Sequence, residues 1–122
     1  NDYAIRDYLE NWYRPNFRVK NRDTCTPIGP WLVDAKDIHN TYGSPMNLSL
    51  QTTVNGKVTQ TSDLSKLIWS VPEVIANLSE LVELAPGDLI MTGTPEGVAA
   101  VVRGDVLEGF VEGVGDIRTK II

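Results

Sequence analysis

The sequence predicts an α+β fold, mainly β, made of antiparallel hairpins with short helices at the periphery. Three observations predict it. An alternating apolar and polar run ends in Asn55-Gly56, a capping box opens an amphipathic stretch at Ser70, and nowhere do strands and helices alternate at βαβ spacing.

Taken in order, Ile5, Tyr8, Leu9 and Trp12 recur at helical spacing, so residues 3–13 read as an amphipathic helix with Asp2 at its N-cap and Pro15 beyond its end. Residues 16–30 read as a loop through Pro27, Gly29 and Pro30. Met46, Leu48, Leu50, Thr52 and Val54 alternate with polar residues, the signature of a half-buried strand. Asn55-Gly56 then predicts a tight hairpin into the strand-like Lys57-Val58-Thr59-Gln60.

Ser70-Val71-Pro72-Glu73 is a capping box with proline in the first turn, and Val71, Val74, Ile75, Leu78 and Leu81 carry a helical stripe to about residue 82. Pro86-Gly87-Asp88 predicts a turn into a strand, Leu89-Ile90-Met91. From Asp105 to Ile122 the tail reads as strands broken by Gly109, Gly113 and Gly115. Trp12, Trp31 and Trp69 are expected in the core rather than at an interface.

Composition narrows the function. The 122 residues are 42% hydrophobic and 22% charged, an ordinary globular balance that fits one domain. The apolar runs are too short for a membrane span, and Asn1-Asp2-Tyr3 does not open a signal peptide. One cysteine, Cys25, excludes an internal disulfide and fits the cytoplasm, where it is expected as a partly buried structural thiol. A net charge of -5 argues against nucleic acid as a partner, but not against an anionic small molecule held by a few local cations.

Familiar catalytic patterns are missing. Gly93 to Gly97 is too sparse for a phosphate loop and lacks its lysine. His39 stands in a loop-like stretch with no serine or cysteine motif beside it, and no Cys/His spacing suits zinc. What remains is Asp2, Arg6 and Asp7, then Lys20, then the turn Thr92-Gly93-Thr94-Pro95. Each also has a plain reading. Asp2 caps a helix, Arg6 pairs with Glu10 at i, i+4, Lys20 belongs to a solvated basic edge with Arg18 and Arg22, and the Thr-Gly-Thr-Pro stretch ends a strand.

Together, in order, these pieces resemble one family. Asn1-Asp2-Tyr3-Ala4-Ile5-Arg6-Asp7, Lys20, Pro27-Ile28-Gly29-Pro30-Trp31-Leu32, Val54-Asn55-Gly56, Pro86-Gly87-Asp88-Leu89-Ile90 and Thr92-Gly93-Thr94-Pro95-Glu96-Gly97-Val98 are similar throughout to the fumarylacetoacetase family. Asn1 to Val33 most resembles its members that decarboxylate and isomerise small 2-oxo acids in aromatic catabolism.

The resemblance implies a C-terminal-domain-like mixed-β roll with short rim helices, and residues 1–122 as a single catalytic domain lacking its N-terminal part. It implies a magnesium site, manganese substituting, with Asp2 as one ligand. It implies that Arg6, Gly93 and Thr94 bind substrate and that Lys20 binds it and meets the developing enolate as the catalytic group. Family members add a Glu-x-Glu pair upstream of the aspartate; Asp2 alone is not expected to hold the ion. The implied substrate is a small anionic 2-oxo acid, whose enolate a hard divalent metal stabilises, and the implied assembly is a homodimer or larger. Leu9 stands where the family's hydrolases carry a glutamine, which lowers the weight of acylpyruvate or fumarylpyruvate hydrolysis. A non-catalytic structural half is the remaining alternative.

Overall fold

The computed structural model describes residues 1–5 and 19–122. Among these, β1 spans Ser49–Val54, β2 Lys57–Asp63, β3 Val106–Val111 and β4 Gly115–Lys120, while α1 spans Ala35–Tyr42 and α2 Val71–Ser79. The strands form one four-stranded sheet in the order β2-β1-β3-β4, antiparallel throughout. The α+β class with short helices is the one the sequence predicts.

The β1–β2 hairpin shows why. Asn55 and Gly56 take φ of 51° and 77°, the two left-handed residues that a twist-compatible two-residue turn requires. Asn55 also ties this turn to the next strand. Its Oδ1 accepts from the Val106 N–H at 2.9 Å and its Nδ2 donates to Asp105 Oδ1 at 2.9 Å. A local signal for a hairpin therefore also fixes where β3 joins β1. Asp105 accepts from the Val102 N–H and from Asn55, and these bonds hold its carboxyl below the usual range.

Register runs cleanly except at one place. Thr52 pairs with Gln60 but Thr53 pairs with Val58, so Thr59 is an extra residue on β2. The bulge bends the strand and re-aims its neighbours. On the other side of β1, Thr52 pairs with Gly109, which pairs with Ile117. Gln60, Thr52, Gly109 and Ile117 thus form one row across the sheet. Gly109 does not break β3, contrary to the expectation for the tail; its missing side chain leaves room for Ile117 and for the Asn1 side chain.

The helices are set by their caps. The Asp34 side chain accepts from the Lys36 N–H at 2.8 Å at the start of α1, and Gly43, with φ of 78°, ends it. His39 therefore lies on a helix and not in a loop; the short aspartate-to-glycine frame was the missed signal. Ile38 and Tyr42 of α1 stand beside Gly113 in the β3–β4 turn. In α2 the predicted capping box forms. The Ser70 N–H donates to Glu73 Oε2 at 2.8 Å and the Glu73 N–H to Ser70 Oγ at 3.4 Å.

Four further expectations change. Residues 3–5 are irregular rather than helical, with the Tyr3 N–H on the Cys25 carbonyl and the Ile5 N–H on the Val19 carbonyl, both at 2.9 Å. The rest of that expected helix lies outside the described residues. Pro45–Asn47 forms a short 3-10 turn, so β1 starts later than the alternation suggests: the Met46 N–H bonds to Ser44 Oγ and the Leu48 N–H to the Pro45 carbonyl, which takes both amides out of any ladder. Leu89-Ile90-Met91 follows the expected turn but is not a strand; no neighbouring strand pairs with it among the described residues.

Finally, Trp31 and Trp69 are exposed rather than core, at 64% and 59%. Among the described residues the buried apolar set is small: Val19, Cys25, Ile38, Leu48 and Leu107. Leu32, Ile68 and Leu81 lie open to solvent. Cys25 is free and buried, as expected of a structural thiol. No helix among the described residues is long and apolar enough to cross a membrane.

Candidate functional site

Two groups of predicted site residues occupy different places on the sheet. The first is built on the chain's opening residues. Asn1 to Ile5 runs beside the segment from Val19 to Cys25 through the Tyr3 and Ile5 backbone bonds, and the Asn1 ammonium donates to the Pro27 carbonyl at 3.2 Å. This brings the Asp2 carboxylate and the Lys20 ammonium together as a direct ion pair. Their side chains are 32% and 38% exposed, so the pair faces solvent. An open depression of about 600 Å³ adjoins it, lined by Lys20, Arg22, Asp23, Thr24, Thr26 and Thr119 among others. Partial burial pushes the phenol of neighbouring Tyr3 up, against hydrogen bonds that act the other way.

The second group is the Thr92-Gly93-Thr94-Pro95 turn, beside β2. Gly93 takes φ of 99°, with open space where a side chain would stand. Gln60 of β2 holds the turn: its Nε2 donates to Thr94 Oγ1 at 2.9 Å and to the Pro95 carbonyl at 2.8 Å. Gly97 closes the other end. Its φ is 96°, and a Cβ there would overlap the carbonyl oxygen of the bulged Thr59. The segment is thus latched to β2 by one side chain and by one absent side chain.

The sheet row relates the two groups. Asn1 lies over Gly109 of β3, and Gln60 on β2 lies two strands away along the same row, or roughly 10 Å at ordinary strand spacing. No hydrogen bond or ion pair joins Thr94 to the Asp2–Lys20 pair among the described residues. Arg6 lies outside the described residues, as does Leu9. Gln60 was not singled out from sequence. A glutamine in the second strand of a hairpin gives no local sign that it will reach a turn 34 positions later.

The described residues offer an incomplete metal site. They contain no group of three or more His, Cys, Asp or Glu side chains placed to share an ion. Asp2 provides one hard oxygen donor, with an ammonium already upon it. That set does not by itself fit octahedral magnesium.

The family model described as fumarylacetoacetate (FAA) hydrolase C-terminal matches residues 1–122.

The chain belongs to this family.

It is 52% identical over 122 residues to the 4-hydroxyphenylacetate degradation bifunctional isomerase/decarboxylase of Salmonella dublin, covering 100% of this chain and 28% of that protein. The chain thus spans under a third of that relative's length. Among solved structures, the 5-carboxymethyl-2-hydroxymuconate delta-isomerase of Mycobacterium smegmatis matches with a TM-score of 0.84 and 36% identity, over 100% of this chain and 45% of that one. The maleylpyruvate hydrolase of Sphingobium sp. SYK-6, in complex with manganese(II) and pyruvate, matches with a TM-score of 0.73 and 34% identity, over 79% of this chain and 35% of that one. The family fold expected from the sequence is therefore the one this chain has.

Proposed function

We propose that this chain forms the substrate-holding side of a divalent-metal-dependent isomerase/decarboxylase. Its substrate would be a small 2-oxo or 2-hydroxydienoic di- or tricarboxylic acid of 4-hydroxyphenylacetate (homoprotocatechuate) catabolism, in the cytoplasm. The observation that carries this is the Asp2–Lys20 ion pair, half-exposed beside an open depression. Identity to the Salmonella isomerase/decarboxylase across the whole chain supports it.

In this reading Lys20 is the catalytic group. Its ammonium, fixed by Asp2, supplies positive charge where an enolate would develop. Thr94 and the backbone at Gly93 bind a substrate carboxylate at the other end of the sheet row, and Arg6 binds a second one through its planar fork. Asp2 is one ligand of a magnesium ion, or manganese in its place, whose remaining ligands the described residues do not provide. The assembly is a homodimer or larger, with no nucleic acid or membrane partner.

A second reading, acylpyruvate hydrolysis, is favoured by the likeness to a hydrolase solved with pyruvate. Leu9, where the family's hydrolases carry glutamine, weighs against it. The full-length protein, given 5-oxopent-3-ene-1,2,5-tricarboxylate and fumarylpyruvate in separate assays, separates the two. Carbon dioxide release from the first is expected. Cleavage of fumarylpyruvate alone would replace this proposal with the hydrolase.

A further inference from the structure

We infer that Gln60 is a positioning residue that sets the hydrogen-bond polarity of Thr94, turning its hydroxyl into a donor for a substrate carboxylate. The inference rests on the reading of Thr94 as a carboxylate-binding residue.

The argument begins with the Pro95 carbonyl, which can only accept. Gln60 meets it at 2.8 Å, so the amide must present its NH2 group here and not its oxygen. That settles the orientation of the side chain. The second hydrogen of the same nitrogen is then directed to Thr94 Oγ1, at 2.9 Å. Thr94 therefore accepts from Gln60. A threonine hydroxyl has a single proton, and with Gln60 acting as donor that proton points elsewhere. Thr94 is exposed, and above neighbouring Gly93 the space is open. The proton is thus presented to the accessible side of the turn, where a carboxylate oxygen accepts it.

The fold holds this arrangement in place. Gln60 is half-buried and follows the extra residue Thr59 in the bulge, whose carbonyl Gly97 packs against. The turn is fixed to the bulge at Gly97 and read out by Gln60 at Thr94 and Pro95. Gln60 itself does not touch the substrate in this scheme; it acts through Thr94.

The test is binding of pyruvate, a minimal 2-oxo carboxylate, to the full-length metal-loaded protein. It is measured by calorimetry and as competitive inhibition, with thermal melting run alongside. Thr94→Val and Gln60→Leu should each weaken pyruvate by about tenfold, the scale of one hydrogen bond to a charged group. The double variant should bind no more weakly than Thr94→Val alone, because both remove the same contact. Gln60→Glu, of the same size, should be worse than Gln60→Leu at neutral pH, since an ionised carboxylate takes the Thr94 proton for itself. It also stands in if Gln60→Leu fails to fold. With full substrate, KM should rise while kcat holds, as for a contact made equally in ground and transition states.

Additive losses in the double variant, or parent-like binding by Gln60→Glu, would overturn the inference. A loss in Thr94→Val with a silent, folded Gln60→Leu overturns it while leaving the role of Thr94 intact. A silent Thr94→Val removes that role and the inference with it.

Discussion

The Lys20 ammonium rests on the Asp2 carboxylate and so ties the chain's first residues to a segment 18 positions later. Replacing Lys20 with alanine removes this charge from the proposed enolate position. Turnover of the full-length protein should fall by roughly 10²-fold or more, the cost of losing a preorganised electrostatic contact. Steady-state assay of Lys20→Ala checks it, and unchanged turnover would sink the catalytic role.

That pairing also bears on the metal. Among the described residues no group of three or more candidate ligands is placed to share an ion, and the Asp2 carboxylate already carries an ammonium, where magnesium needs several oxygen ligands. Calorimetry on this 122-residue chain should therefore show no tight magnesium binding. The full-length protein should stop releasing carbon dioxide under a chelator and recover with added magnesium or manganese. Tight binding by the chain alone would mean that the ligand account is wrong.

Gly97 packs where no Cβ fits, at a φ of 96°. Gly97→Ala should cost about 1–3 kcal/mol from backbone strain and overlap. It should also weaken pyruvate, because the displaced turn carries Thr94 away from Gln60. Denaturant melts and pyruvate titration measure the two effects separately. A variant with parental values in both would show that the turn is not latched at Gly97.

Asn55 couples a turn to a strand junction. Asn55→Ala loses both a residue suited to left-handed φ and two side-chain hydrogen bonds, for an expected cost of about 1–2 kcal/mol. Asn55→Gly keeps the conformation and loses only the bonds. Equilibrium unfolding should place it between parent and alanine if both effects operate.

Acid stability follows from four carboxyls held below their ordinary range. The Ser65 hydroxyl lowers Asp63, the Ser70 hydroxyl lowers Glu73, the Val102 N–H and then the Asn55 amide lower Asp105, and the Ser49 N–H and then its hydroxyl lower Glu112. Because each is depressed in the folded state, the unfolded chain binds more protons in acid. The stabilisation is present above the ordinary carboxylate range and is lost as pH falls through the depressed values. Unfolding free energy measured from neutral pH downward should decline through that window. Asp105→Asn should make the decline shallower, and an unchanged slope would show that Asp105 contributes nothing to it.

What was legible in the sequence was local chemistry. Asn55-Gly56 dictates its turn because few residues tolerate two left-handed positions in succession. Ser70 and Glu73 dictate the start of α2 because they satisfy amides that no helix can satisfy internally. The spaced motifs pointed to the family because their order is specific where each piece alone is weak. The start of the helix expected over residues 3–13, the strand at 89–91 and the core placement of Trp31 and Trp69 failed for a shared reason, while Trp12 lies outside the described residues. Apolar spacing shows that a face needs covering, but not what covers it. The tertiary structure alone decided that Tyr3 and Ile5 bond to Cys25 and Val19, and that Asp2 meets Lys20. It alone decided that Gln60 crosses to Thr94. These contacts join residues far apart in the chain, and only strand register and a bulge bring them within hydrogen-bonding reach.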